Sequence, residues 1–299
     1  MIRPQPLREG DKVAIVSPAG AVQQPSIIEG AARTLESWGL NVVVAPHALA
    51  RHGYFAGSVE ERTVDMRMML NDTTIKAIIC SYGGYGCIHL LPQIIEDIAE
   101  NPKWIAGMSD CSLLLSAATT AGVVSLHSCQ CRHLAESSSD SSSEYMRKVL
   151  FGQTPQYVVP THPMNRMGEA TGMLVGGNLS VLCGVAGTPY DTIRPGRILF
   201  IEDINEPPHK VERMLYTLKL SGALGKLAAL IVGNFSGCKE NEDFGGTLYE
   251  IIKNMVTEYS YPVCFNFPVG HTGECYPLPV GDNAQLTVCE SGVRVTFNK

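Results

Sequence analysis

The first 126 residues alternate short apolar runs with stretches of helical spacing, and few folds accommodate that alternation. Lys12–Val16 reads as a strand followed by the turn Ser17-Pro18-Ala19-Gly20. Ile27, Ile28, Ala31, Ala32, Leu35 and Trp38 then recur at helical spacing, with Gly39 as a stop. Asn41–Ala45 is the next strand. Ser58-Val59-Glu60-Glu61 has the form of a capping box and opens a helix through Met69. Ile75–Cys80 is a third strand, followed by the loop Ser81-Tyr82-Gly83-Gly84-Tyr85-Gly86 and a helix near 89–98. A strand ending at Ser109, a helix over about 111–120 and the strand Val123–Leu126 complete the series. Strands alternating with helices imply right-handed crossovers and a mostly parallel sheet covered on both faces. The working loops of such a sheet lie past the carboxyl ends of its strands, here 17–20, 81–86 and 107–110.

A change of composition follows. Residues 136–144, ESSSDSSSE, are too poor in apolar side chains to pack and read as an exposed loop within a linker. Beyond it, Gly168–Leu179 reads as a Gly-punctuated strand and turn, and Arg197–Asp203 as a buried strand ending on carboxylates. Helical spacing resumes over Pro208–Leu220, Ala228–Gly233 is again apolar, and Asn283–Phe297 alternates as antiparallel strands do. The division expected is an N-terminal domain over 1–130, a linker over 131–164 and a smaller α/β domain over 165–299.

The 299 residues carry a formal charge of −6 with no Lys/Arg cluster, which argues against nucleic acid as a partner. There is no apolar leader and no run of eighteen apolar residues, so neither a signal peptide nor a membrane span is expected. Ten cysteines without a secretion signal read as reduced thiols in a cytoplasmic protein.

Ser109 stands where a strand runs into a helix, and that position suits a nucleophile or a helix cap. Gly107-Met108-Ser109-Asp110-Cys111 lacks the second glycine of a G-x-S-x-G elbow, so from these residues alone a capping role for Ser109 or Asp110 is favoured. Gly83, Gly84 and Gly86 suit a loop that presents N–H groups to an oxyanion, or a plain tight turn. Glu202 follows four apolar residues and calls for a buried partner such as a histidine, whereas Glu206 before Pro207-Pro208 suits a helix N-terminus. His271, between Gly270 and Thr272-Gly273, is a candidate general base or a surface turn. His127, Cys129, Cys131 and His133 alternate and would share one face if extended. One straight strand places such residues about 7 Å apart and cannot wrap four of them around an ion. No metal site is expected.

Taken in order, several segments resemble the LD-carboxypeptidase family of serine peptidases, which includes the microcin-immunity peptidases. They are Val13–Gly20, Gly83-Gly84-Tyr85-Gly86, Gly107–Asp110, Gly176–Ser180 with Gly187–Tyr190, Leu199–Asp203 with Glu206-Pro207-Pro208 and Glu212–Leu215, and Gly270-His271 with Leu278–Gly281. The resemblance implies a Rossmann-like, mostly parallel N-terminal sheet, a smaller α/β C-terminal domain, and an active site at their interface. It implies Ser109 as nucleophile, His271 as base and Glu202 orienting the imidazole, with Glu206 the alternative acid. Asp110 and Gly84 would supply the oxyanion N–H groups, and Gly83 and Tyr85 would line the substrate. The implied reaction releases terminal D-alanine from murein tetrapeptide in peptidoglycan recycling, by a homodimer, with no cofactor. The alternatives are an amidase that detoxifies peptidyl-nucleotide antibiotics and a non-catalytic peptide-binding module. Tyr82 where the family commonly has Arg, Ser112 where it has Thr, and Ser128-Cys129 where Gly-Pro often stands bear on substrate preference rather than on the triad.

Overall fold

The computed structural model describes residues 1–238 and 244–297, and the chain divides into two units. The first comprises Met1–Gln153 with Tyr276–Gly281 and the second Thr154–Cys275 with Asp282–Lys299. Among the described residues no helix is long and apolar enough to cross a membrane.

The first unit contains β1 (Lys12–Val16), α1 (Pro25–Ser37), β2 (Asn41–Val44), α2 (Val59–Asn71), β3 (Ile75–Cys80), α3 (Leu91–Glu100), β4 (Trp104–Gly107), α4 (Ser112–Thr120), β5 (Ser125–His127), α5 (Cys131–Glu136) and α6 (Ser141–Leu150). Five strands run parallel in the order β5-β4-β3-β1-β2. Val13 to Val16 are fully buried, as expected for a strand covered on both faces. The capping box forms: Ser58 Oγ accepts from Glu61 N, and Glu61 reaches back to Ser58 N at 2.8 Å. Strand order reverses between β1 and β3, which is where open α/β sheets carry ligand sites. The loops after these two strands are tied there, with Gly20 N donating to Gly83 O at 2.8 Å and the Ser17 and Ser81 hydroxyls 2.6 Å apart.

The second unit contains β6 (Gln156–Val159), β7 (Gly168–Asn178), α7 (Leu179–Cys183), β8 (Ile198–Ile204), α8 (Pro208–Leu220), β9 (Ala229–Ser236), α9 (Leu248–Met255) and β10 (Val263–Cys264). After β11 (Leu278–Val280), which returns to pair antiparallel with β5, the chain adds β12 (Asn283–Cys289) and β13 (Gly292–Phe297). The second sheet has the order β10-β9-β8-β7-β12-β13-β6, parallel from β10 to β7 and antiparallel thereafter. Its core joins Val175, Leu199, Ile201, Leu230 and Val232 of the strands to Val211 and Leu215 of α8 and Ile252 of α9.

Two expectations from sequence change. Residues 131–153, read as part of a linker, form α5 and α6 within the first unit. Gly30 of α1 lets α5 approach so closely that a Cβ there would lie 2.6 Å from Ala135 Cβ, and Thr34 donates to Leu134 O at 2.8 Å. The serine tract is an exposed turn only over 137–140, where Ser138 and Ser139 are exposed; its second half opens α6, with Ser142 and Ser143 fully buried. Asp140 caps α6 by accepting from Ser143 N at 2.9 Å, and Ser143 Oγ donates to Ser137 O at 2.9 Å. Short hydroxyl side chains satisfy their own backbone, and the apolar anchors Met146, Val149 and Leu150 begin just beyond the polar window.

Candidate active site

The backbone at Ser109 shows that it is not a cap. Met108 is extended, Ser109 then takes φ +62°, and a 3-10 turn over Ser109–Cys111 leads into α4. Neither Ser109 nor Asp110 caps that helix with its side chain. A left-handed non-glycine residue at a strand–helix junction is strained by about 1–2 kcal/mol. Such a bend is the kind that lifts a nucleophile hydroxyl off a sheet. This bend forms without the second glycine of a G-x-S-x-G elbow. Gly107 makes the close approach instead, since a Cβ there would meet Cys80 Cβ at 2.9 Å and Cys111 Cβ at 3.0 Å.

The glycine loop lies against this serine. A Cβ on Gly83 would fall 2.7 Å from Ser109 Cβ, 2.9 Å from its Oγ and 3.1 Å from Asp110 N. Gly84 takes φ +84°. Asp110 is buried, and its Oδ2 accepts from Cys87 N at 2.7 Å. Burial pushes its carboxyl pKa up, against the bonds from the Cys87 and Gly86 backbone and the charge of Arg62. Tyr85 is half exposed, with its ring edge-on to His89 at 5.5 Å. Ser109, Gly83, Gly84, Asp110 and Tyr85 are thus gathered at one rim of the first unit.

In the second unit Glu202 stands near the carboxyl end of β8 and is fully buried. Its Oε2 lies 2.7 Å from His271 Nδ1. A carboxylate only accepts, so Nδ1 carries the hydrogen and Nε2 keeps its lone pair. Glu202 Oε1 is buried without a partner among the described residues. Gly270 permits the approach, because a Cβ there would lie 3.1 Å from both Glu202 Cβ and Oε2. Burial pulls the His271 pKa down, but the hydrogen bond to Glu202 and the charges of Glu202 and Asp203 outweigh it and leave it raised. Glu206 pairs with Lys210 at 3.4 Å instead.

Two buried charged residues near these groups have no role assigned from the sequence. Asp203, buried beside Glu202, accepts from Asn178 Nδ2 at 2.9 Å and Ser180 N at 2.9 Å, and burial raises its pKa to about 6 despite these bonds. Arg62 is buried in the first turns of α2, and its signal was available, since it shares the helix face of Met66, Met69 and Leu70. The 127–133 segment does not continue extended. His127 ends β5, Cys131 opens α5, and His133 lies 2.8 Å from Asp140. Among the described residues no group of three or more His, Cys, Asp or Glu is arranged to hold a metal.

Residues 13–128 match the LD-carboxypeptidase N-terminal domain and residues 171–286 the LD-carboxypeptidase C-terminal domain. The chain belongs to the LD-carboxypeptidase family. As a member of the LD-carboxypeptidases it is a peptidase. It is 30% identical over 286 residues to the murein tetrapeptide carboxypeptidase of Pseudomonas aeruginosa, covering 92% of each chain. Its fold matches the crystal structure of muramoyltetrapeptide carboxypeptidase from Oxalobacter formigenes with a TM-score of 0.88 at 29% identity, over 96% of this chain and 99% of that one. The structure of MccF in complex with glutamyl sulfamoyl guanosine shares the fold at a TM-score of 0.87 and 23% identity, over 99% and 98% of the two chains.

Proposed function

We propose that this LD-carboxypeptidase is of the serine type and releases the terminal D-alanine of murein tetrapeptide, in a cytoplasm where its ten cysteines stay unpaired. The observation that carries the mechanism is the 2.7 Å bond between His271 Nδ1 and the buried Glu202, which holds Nε2 as a free base. Ser109 Oγ attacks the scissile carbonyl carbon and its proton passes to His271 Nε2. Charge collects on the carbonyl oxygen, opposite the N–H groups of Gly84 and Asp110. The C–N bond then breaks, the Nε2 proton goes to the departing amine, and D-alanine leaves behind an ester on Ser109. Water adds to that ester as Nε2 takes its proton. The C–Oγ bond breaks, the proton returns to Oγ, and the shortened peptide is released as a carboxylate. The substrate is supported by the 30% identity to the Pseudomonas aeruginosa enzyme across 92% of both chains.

Purified protein incubated with murein tetrapeptide is expected to release D-alanine, and Ser109→Ala to release none while remaining folded. Turnover by Ser109→Ala would remove the serine mechanism. A peptidyl-nucleotide assayed beside the tetrapeptide tests the substrate, and a higher kcat/KM on the nucleotide would overturn the murein reading.

A further inference from the structure

Arg62 has no part in the proposed chemistry, yet it is one of the largest fully buried side chains, at 1% exposure. Its contacts run to the loops rather than to a carboxylate. Nη1 donates to Pro18 O at 2.8 Å and to Gly86 O at 2.9 Å, and Nη2 lies 3.3 Å from His89 Nδ1. The guanidinium sits over the Phe55 ring, 5.1 Å from its centroid. A Cβ on Gly86 would come 2.7 Å from Nη1, so the loop closes directly on the cation. The two carbonyls belong to the loops after β1 and β3, on either side of the point where strand order reverses.

Asp110 holds the same loop from the opposite side. Its carboxylate accepts the Cys87 N–H at 2.7 Å, immediately after Gly86. The Gly86 carbonyl is therefore held by a cation and the amide of the next residue by an anion. That is a firm clamp on a residue at φ +136° that has no side chain of its own to anchor it.

We propose that Arg62, acting with the Asp110 carboxylate, is a positioning residue that sets the orientation of the 83–86 loop and so aims the Gly84 and Asp110 N–H groups at the developing oxyanion. The inference rests on Ser109 being the nucleophile. A planar guanidinium can bridge two carbonyls with fixed geometry, whereas a lysine ammonium cannot reproduce both contacts at once.

The test is Arg62→Lys, read by steady-state kinetics on murein tetrapeptide, by the rate at which a small fluorophosphonate labels Ser109, and by circular dichroism. kcat and the labelling rate are expected to fall together by about 10- to 100-fold, with KM within about threefold. A role in stability alone would lower the folded fraction and with it the apparent kcat at unchanged KM, but kcat and the labelling rate constant per folded molecule, with the folded fraction read by circular dichroism, would stay native. Asp110→Asn, which keeps the shape but removes the charge that faces the Cys87 N–H, reads the clamp from its other side should Arg62→Lys not fold. It is expected to show the same loss of kcat and labelling at unchanged KM. Native labelling and kcat in either folded variant would overturn the inference while leaving the serine reading intact. Failure of the native protein to label at Ser109 would overturn both.

Discussion

Gly83→Ala isolates the contact between the glycine loop and the serine. The added Cβ would lie 2.7 Å from Ser109 Cβ and 2.9 Å from its Oγ. Carbon atoms settle at about 3.5–4.0 Å, so roughly 0.8 Å or more must be found. Neither side yields readily. Gly83 O is bonded to Gly20 N at 2.8 Å, and Ser109 is already at φ +62°. Gly83 itself does not occupy the left-handed region, so alanine suits its backbone and the whole effect is the collision. Overpacking costs about 1–3 kcal/mol, and the lower entropy of the unfolded alanine chain returns about 0.4–1 kcal/mol. The net loss of stability is then at most about 2–3 kcal/mol, which leaves the protein folded. Shifting Oγ by something near 1 Å relative to the Gly84 and Asp110 N–H groups proposed for the oxyanion is expected to lower kcat about 100-fold. D-alanine release with kcat and KM resolved, alongside a thermal melt, measures both quantities. Turnover within about threefold of the native rate in a folded Gly83→Ala protein would refute the reasoning.

Four further outcomes follow from the same geometry. The acidic limb of kcat/KM should lie above the ordinary histidine value of 6.5, because the base must be neutral and the His271 pKa is raised. Glu202→Gln removes the main raising influence and leaves burial, so a pH–rate series should show that limb moved to lower pH with a lower plateau; an unmoved limb would exclude Glu202 as the imidazole's partner. Ser109→Gly relieves the left-handed strain that Ser109→Ala keeps, so denaturant unfolding should find the glycine variant more stable than the alanine one by up to about 1 kcal/mol, and the reverse order would deny the strain. Gly233→Ala places a Cβ 2.5 Å from Val269 O and should lower stability by about 1–3 kcal/mol in thermal or chemical unfolding, whereas an unchanged midpoint would contradict the packing at β9.

Much of the fold is legible in the sequence itself. Helical spacing over Pro208–Leu220 and the apolar run at Val13–Val16 reappear as α8 and as most of β1. Periodicity is a local property that survives in one dimension. The capping box at Ser58 was readable for the same reason. The second half of the serine tract belongs to α6 because its polar window stops just short of Met146 and Leu150, the residues that bury the helix, while 137–140 remains a turn. Arg62 shares the apolar face of Met66, Met69 and Leu70, but arginine is seldom buried, so that spacing alone does not fix its place. Only the carbonyls of Pro18 and Gly86, 44 and 24 residues away, explain its burial.

By itself the sequence determined the alternating α/β organisation, the loops past the strand ends, and the order of Ser109, Glu202 and His271 along the chain. The tertiary structure decided the strand order β5-β4-β3-β1-β2, the return of Leu278–Val280 to the first sheet, and the membership of α5 and α6 in the first unit. It also chose between two carboxylates four residues apart, pairing Glu202 with a histidine 69 positions away and Glu206 with Lys210. Each of these depends on which distant segments pack together. Short-range patterns of polarity do not encode that, because a buried charge chooses its partner by geometry in the folded core.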